Sequence, residues 1–139
     1  NDNNTNTQVA YAFKNIQGFS KFGYYYGNGL SDGTFVYCGF KPAFVMVKNT
    51  GSSEPWVVFD TKRNPHNVAD LKLVPNSADA ENAHSATGGS SYNNIDILST
   101  GFKCKTNNGA TNESNKKFIF MAFAESPFVS SEGVPTTAR

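Results

Sequence analysis

Short apolar runs alternate with turn residues along most of the chain. These runs are rich in Val, Ile, Phe and Tyr and are closed by Gly, Asn, Asp or Pro, which is typical of β-strands. No segment repeats apolar residues at helical spacing across three turns. The pattern predicts strands over 8–14, 21–27, 34–40, 43–49, 55–60, 71–74, 94–99, 101–105 and 117–124.

Turn chemistry supports this assignment. Asn28-Gly29 and Asp32-Gly33 lie between two aromatic runs and supply the positive φ angles that hairpin loops need. About nine short strands at short spacing, with little or no helix, indicate an all-β protein. We predict an antiparallel β-sandwich of the jelly-roll or lectin-like type.

The length fits one domain, since the chain has 139 residues and a mass of 15.1 kDa. We predict a polar linker or disordered segment over 1–8, a single β-sandwich domain over 9–126 and a C-terminal tail over 127–139. No apolar run is long enough to cross a bilayer, so we expect no membrane insertion. The chain lacks a signal peptide and an initial Met, and we expect a cleaved product or an excised piece.

Charge narrows the range of partners. The formal net charge is +1 and 17% of the residues are charged, whereas binding to nucleic acid requires a concentrated basic face. We therefore expect no nucleic-acid partner.

The segment 18–40, "GFSKFGYYYGNGLSDGTFVYCGF", is unusually aromatic. In a strand, Tyr24 and Tyr26 share one face while Tyr25 points to the other. Cross-strand aromatic pairs stabilise sheets, and this structural role alone explains the rings. Tyrosine also brings a rigid contact area with a polar tip, so a binding role stays open. The candidate contact residues here are Tyr24, Tyr25, Tyr26 and Trp56.

A long connection over 61–92 contains the second group of candidate contact residues. Long loops in compact domains are often functional, and the segment "TKRNPHN" combines cationic and amide side chains. It offers a tip for a glycan or a partner subunit, although the favoured explanation is a loop that only wraps the sandwich. The candidates are Lys62, Arg63, Asn64, His66 and Asn67.

Residues for catalysis or metal binding are few. The two histidines, His66 and His84, lie outside any zinc-site spacing. Asp79 and Glu81 offer hard oxygen ligands for Ca²⁺, but their spacing does not fit an EF-hand. Glycoside hydrolysis needs two carboxylates that face one cleft, and the sequence does not assign any two of its acidic residues to such a cleft. We predict a protein that is not an enzyme and has no metal site and no cofactor.

Two cysteines, Cys38 and Cys104, allow at most one disulfide. Both lie in strand-like runs beside a Phe, as buried free thiols do. A bridge requires Cα atoms within about 7 Å, and sequence alone leaves the choice open.

Four segments carry a further signal: "GFSKFGYYYGNGLSDGTFVYCGFKPAFVMVKNT", "WVVFDTKRNPHNVAD", "ILSTGFKCK" and "FIFMAFAESPFVSSEGVPTTAR". Together they closely resemble a β-domain of structural proteins of tailed bacteriophages, found especially in phages of marine bacteria. That domain often stands in tandem near the C-terminus of a long tail-fibre-like or virion structural protein. The resemblance implies no catalytic residues. Cys38 and Cys104 both depart from the family pattern, which makes them a candidate disulfide pair and leaves open whether they are bridged.

The resemblance implies a non-enzymatic virion protein, part of a tail fibre or spike, that acts in assembly and host-surface attachment. Its expected partners are other virion proteins or copies of itself, with a trimer as one arrangement, and a host-surface glycan or protein receptor. It is expected on the phage particle surface after synthesis in the bacterial host cytoplasm. The alternatives are a capsid decoration or cement protein and, from another class, a carbohydrate-binding module or glycan-active enzyme.

Overall fold

The computed structural model describes residues 9–78, 81, 95–125, 127–129 and 135–137. Within these residues the protein is all-β and contains no helix. The strands are β1 (Ser20–Tyr26), β2 (Phe35–Tyr37), β3 (Pro42–Asn49), β4 (Val57–Asp60), β5 (Ile95–Leu98), β6 (Gly101–Cys104), β7 (Lys117–Ala124), β8 (Pro127–Val129) and β9 (Pro135–Thr137).

Two antiparallel sheets form the body of the structure. The larger has the strand order β1-β7-β3-β4, and the smaller has the order β2-β6-β5. Strands β8 and β9, within the predicted C-terminal tail, pair with each other. The prediction of an all-β fold with antiparallel sheets is confirmed.

Side chains from both sheets enclose one hydrophobic core. In β7, Phe118, Phe120 and Ala122 are buried while the residues between them are more exposed, because side chains alternate along a strand. The inward residues of the smaller sheet complete the same cluster. Its fully buried members include Val45, Val47, Phe59, Ile95 and Phe102.

Two of the predicted strands are absent. Residues 9–14 form no strand, and at the neighbouring edge of β1 the Phe22 N–H donates to the Oδ1 atom of Asn15 at 2.6 Å. The run 71–74 makes only one isolated bridge, between Leu73 and Val58 at the edge of β4. The predicted linker over 1–8 lies outside the described residues.

Buried asparagines hold the loops together at one end of the larger sheet. Asn112 donates from its Nδ2 atom to the Oδ1 of Asn28 at 2.8 Å and to the carbonyl of Thr106 at 2.9 Å. Asn49 donates to the carbonyl of Gly109 at 2.7 Å. Both asparagines are fully buried, so these bonds form where water cannot replace them. The loops therefore have a fixed arrangement beside the strand ends.

Candidate contact surface

The outward face of the larger sheet exposes aromatic side chains. Tyr24 and Tyr26 alternate with the inward Tyr25 along β1, and they lie opposite Ile119 and Lys117 of β7. The side chain of Tyr24 is 61% exposed and that of Tyr26 is 57% exposed. We call Tyr24, Tyr26, Lys117 and Ile119 the tyrosine patch.

Contacts within the tyrosine patch fix its geometry. The two tyrosine rings are nearly perpendicular, at 87°, with their centroids 6.1 Å apart. The Nζ atom of Lys117 lies 4.4 Å from the centroid of the Tyr24 ring, within cation–π distance. Within the part of the chain that the structure describes, neither tyrosine hydroxyl makes a hydrogen bond. The patch is thus a partly ordered apolar surface with polar tips, which suits a protein interface.

A group of phenylalanines extends this face toward the other end of β1. The Phe22 ring packs against Phe13 at 5.3 Å and against Phe123 at 5.7 Å, and Phe44 lies 5.9 Å from Phe123. Phe13 stays mostly exposed, while the other three are half-buried. The sequence analysis missed this group, although alternation in 43–49 and 117–124 places Phe44 and Phe123 on the outward face.

Tyr25 does not belong to the surface. Its side chain is buried, its ring stacks on Phe118 with 5.0 Å between centroids, and its hydroxyl donates to the carbonyl of Thr111 at 2.6 Å. Burial raises the pKa of Tyr25 well above its ordinary value, with a smaller contribution from Cys104. Because Tyr25 is buried, the exposed members of the three consecutive tyrosines are Tyr24 and Tyr26.

Trp56 lies apart from the tyrosine patch. It immediately precedes β4, which forms the opposite edge of the larger sheet from β1. Its side chain is half-buried, and its main-chain N–H donates to the Oδ1 atom of Asn76 at 3.0 Å. The structure does not bring Trp56 together with Tyr24 and Tyr26.

In the 61–67 loop, Arg63 and Asn64 have internal partners. Arg63 contacts Asp60 at 2.8 Å through its Nη1 atom and Glu81 at 2.8 Å through its Nε atom. Asn64 donates to the Oδ1 atom of Asp70 at 3.0 Å. These two side chains shape the loop, which limits what they can offer to a ligand.

Asn67 has a comparable structural role. Its Oδ1 atom accepts the Ile97 N–H at 2.8 Å, and its Nδ2 atom donates to the Ile97 carbonyl at 2.9 Å. The main chain of a neighbouring strand would make the same pair of bonds. The side chains of Lys62 and His66 are exposed, and within the described residues neither has a hydrogen bond or an ion pair. Of the predicted loop residues, Lys62 and His66 are the ones most available to a partner.

Cys38 and Cys104 are free thiols in the structure, and both are buried. Burial raises the pKa of each thiol to about 12, partly opposed by the charge of Lys21 at Cys38 and by a hydrogen bond with Tyr25 at Cys104. A thiol with such a pKa holds its proton at neutral pH and reacts slowly, because the thiolate is the reactive form.

Side chains arranged for catalysis or metal binding are sparse in the described ranges. No cluster of three or more His, Cys, Asp or Glu side chains arranged to hold a metal occurs there. His84 and Asp79, considered in the sequence analysis, lie outside the described residues. In those same ranges, no helix has the length and apolar character that crossing a bilayer requires.

Comparison with known proteins identifies a family without an assigned role. A family model described as "Domain of unknown function (DUF7483)" matches residues 1–127. No curated protein and no solved structure matches the chain.

Proposed function

We propose that the chain, which belongs to the DUF7483 family, is a non-enzymatic structural domain of a bacteriophage virion. It forms part of a tail fibre or spike at the particle surface and acts in assembly and host-surface attachment. Support comes from the resemblance of four segments to a β-domain of phage structural proteins and from the exposed aromatic face described above.

The tyrosine patch is the observation that carries the assembly role. Tyr24 and Tyr26 are more than half exposed on a face whose neighbours include Ile119 and a group of phenylalanines. Interfaces are enriched in tyrosine and phenylalanine, because rigid rings bury a large area at a low entropic cost. We propose that copies of this chain pack on this face in a closed homo-oligomer, such as a trimer.

Attachment to the host is assigned to the 61–67 loop. Lys62 and His66 present their side chains to solvent, while internal bonds of Arg63 and Asn67 hold the loop in shape. A prearranged loop loses less conformational entropy on binding. Affinity at each copy would be modest, and several copies on one particle would supply avidity.

The finer fold assignment is part of the same proposal. Both sheets contribute to one core, as expected for a β-sandwich. We propose a jelly-roll or lectin-like sandwich of about nine strands. An experimental structure of the full chain would test this through the order and the connections of its strands.

Imaging of the virus particle that carries the chain tests the proposed location. Gold-labelled antibodies raised against the purified chain are expected to decorate the tail fibres or spikes. Antibodies preabsorbed with the purified chain serve as the control and should leave the particles unlabelled. Label at symmetric positions on the head would favour a capsid decoration protein instead. Absence of label from intact and disrupted particles would contradict the virion assignment and favour a free carbohydrate-binding module.

A further inference from the structure

A cavity of about 360 Å³ lies between the edge strands of the two sheets. One wall is the turn that precedes β1, including Asn15, Gln17 and Gly18, together with Lys21 of β1. The other wall is the end of β2 and the following turn, with Tyr37 and Gly39. The cavity is separate from the tyrosine patch, because Lys21 alternates with Phe22 and Tyr24 along β1.

Hydrogen bonds fix both walls. The N–H groups of Phe19 and Ser20 donate to the carbonyl of Ile16 at 3.0 and 2.9 Å. Across the cavity, the N–H groups of Cys38 and Gly39 both donate to the carbonyl of Thr100. Gly18 and Gly39 have φ angles of 72° and 83°, a conformation that glycine adopts without strain. The walls are therefore formed before a ligand arrives, which lowers the cost of binding.

Several polar side chains of the cavity are available to a ligand, whereas the Ser20 hydroxyl donates to the carbonyl of Lys14 at 2.8 Å. Within the described residues, Gln17, Lys21 and Tyr37 make no side-chain hydrogen bond and no ion pair. Asn15 uses its Oδ1 atom to accept the Phe22 N–H, which leaves its two amide N–H donors unassigned.

Charge and shape together define the ligand class. Lys21 is the charged residue of the lining, which includes no carboxylate. Lys21 and Cys38 line the same cavity, and the charge of Lys21 lowers the pKa of the Cys38 thiol against the larger effect of burial. The side chain of Tyr37, which is 64% exposed, also lines the cavity. The volume is at the lower end for ligand sites and suits one ring-sized group.

We propose that this cavity binds an acidic sugar, a pyranose that carries a carboxylate. The Lys21 ammonium pairs with the carboxylate in a charge-assisted hydrogen bond. The Tyr37 ring packs against the apolar face of the pyranose, and the amides of Asn15 and Gln17 bond its hydroxyl groups. The role of this site in recognising the end of a surface glycan depends on the proposed function, whereas the binding itself does not.

A titration of the full 139-residue chain followed by amide ¹H–¹⁵N NMR tests the binding. Sodium glucuronate is the probe and glucose is its neutral counterpart. With glucuronate, the amide signals of Gln17, Gly18, Lys21 and Gly39 should shift in a saturable manner. Glucose should cause clearly smaller shifts. Absence of shifts at these amides, or equal shifts with glucose, would overturn the proposal.

Matched variants identify the group that recognises the carboxylate. Lys21→Met keeps the apolar stem and removes the charge, and it should weaken glucuronate binding about tenfold. Lys116→Met removes a charge beyond the opposite end of β1, where the Lys116 side chain has no hydrogen bond or ion pair within the described residues, and it should leave the affinity unchanged. Dispersed spectra of both variants would show that they fold. Equal affinity of Lys21→Met and the unmodified chain would refute the role of Lys21.

Methyl glucuronide distinguishes recognition of a glycan end from recognition of a free sugar acid, because its anomeric oxygen is capped by a methyl group, as it is capped by the next sugar in a glycan. It should bind as tightly as glucuronate. Loss of binding on capping would overturn the assignment to a glycan end. Particle imaging tests the proposed function independently, so failure of either assignment can be told from failure of the other.

Discussion

The Tyr25 hydroxyl donates a 2.6 Å hydrogen bond to the main-chain carbonyl of Thr111, although the two residues lie 86 positions apart in the sequence. The Sγ atom of Cys104 also lies 3.8 Å from the Tyr25 oxygen. Tyr25 thus connects β1 to the loop between β6 and β7. This contact is buried, so water could not replace the Tyr25 hydroxyl as the donor to the Thr111 carbonyl.

Replacement of Tyr25 by Phe should destabilise the fold. The ring and its stacking on Phe118 remain, while the Thr111 carbonyl loses its strongest donor. We expect the free energy of unfolding to fall by about 1 kcal/mol, as measured by urea denaturation. Tyr24→Phe removes an exposed hydroxyl and serves as the control, with no expected change. Equal stability of the two variants would contradict the importance of this bond.

Replacement of Asn112 by Ala should have a larger effect. Asn112 is fully buried, and its amide donates to the Oδ1 of Asn28 and to the carbonyls of Leu30 and Thr106. Its loss leaves the buried carbonyl of Thr106 and the partly buried acceptors of Asn28 and Leu30 without this donor, at a cost of about 3 kcal/mol. Hydrogen exchange should accelerate in the loops over 27–34 and 106–116.

Asn107→Ala is the matched control for Asn112→Ala. Asn107 lies in the same loop, is exposed, and has no side-chain hydrogen bond within the described residues. We expect it to change the stability by less than about 0.5 kcal/mol. A loss of stability in Asn112→Ala as small as that in Asn107→Ala would mean that the loop tolerates the missing amide.

Alkaline pH should weaken the fold through its buried thiols and phenol. Burial raises the pKa values of Cys38 and Cys104 from 9.0 to about 12, and that of Tyr25 well above 10.0. Between pH 9 and 12 the unfolded chain therefore binds fewer protons than the folded chain, so the free energy of unfolding decreases as pH rises. Below pH 9 this contribution is fully present.

Urea midpoints recorded from pH 7 to pH 11 measure this effect. The decline above pH 9 should be shallower in Cys104→Ala, which removes one of the titrating groups. The slope is compared within each variant, so the cavity left by the substitution does not affect the test. An unchanged slope would show that this thiol does not contribute.

Both cysteines should be present as thiols in the purified chain. The structure has Cys38 and Cys104 as free, buried groups, whereas the family resemblance made them a candidate disulfide pair. Alkylation without a reducing agent should be slow in the folded chain and should add two labels after denaturation. Intact mass spectrometry counts the labels. A denatured chain that takes no label until it is reduced would establish the bridge instead.

Local alternation in the sequence anticipated much of the fold. The strands over 21–27, 43–49 and 117–124 occur with small shifts of their ends, and Tyr25 faces away from Tyr24 and Tyr26 as predicted. Alternation depends only on nearest neighbours, so a single sequence displays it directly.

Contacts between distant residues were not predictable in the same way. Asn67 looked available for a ligand, but its amide is bonded to Ile97, 30 positions along the chain. The cavity beside Lys21 is lined by a turn at Gly18 and by another at Gly39. No local pattern in the sequence indicates that these two turns lie close together. The run 9–14 has the composition of a strand but lacks a partner strand in the structure.

The tyrosine patch should decide the oligomeric state. We expect the unmodified chain to form a closed oligomer and the double variant Tyr24→Ser/Tyr26→Ser to be monomeric, as measured by light scattering after size-exclusion chromatography. Both side chains are more than half exposed, so the stability of the single chain should change little. Tyr37→Ser is the matched control, since Tyr37 is equally exposed but belongs to the smaller sheet. It should keep the oligomer. A monomeric unmodified chain, or an oligomer that survives the double substitution, would contradict the assignment of this face to assembly.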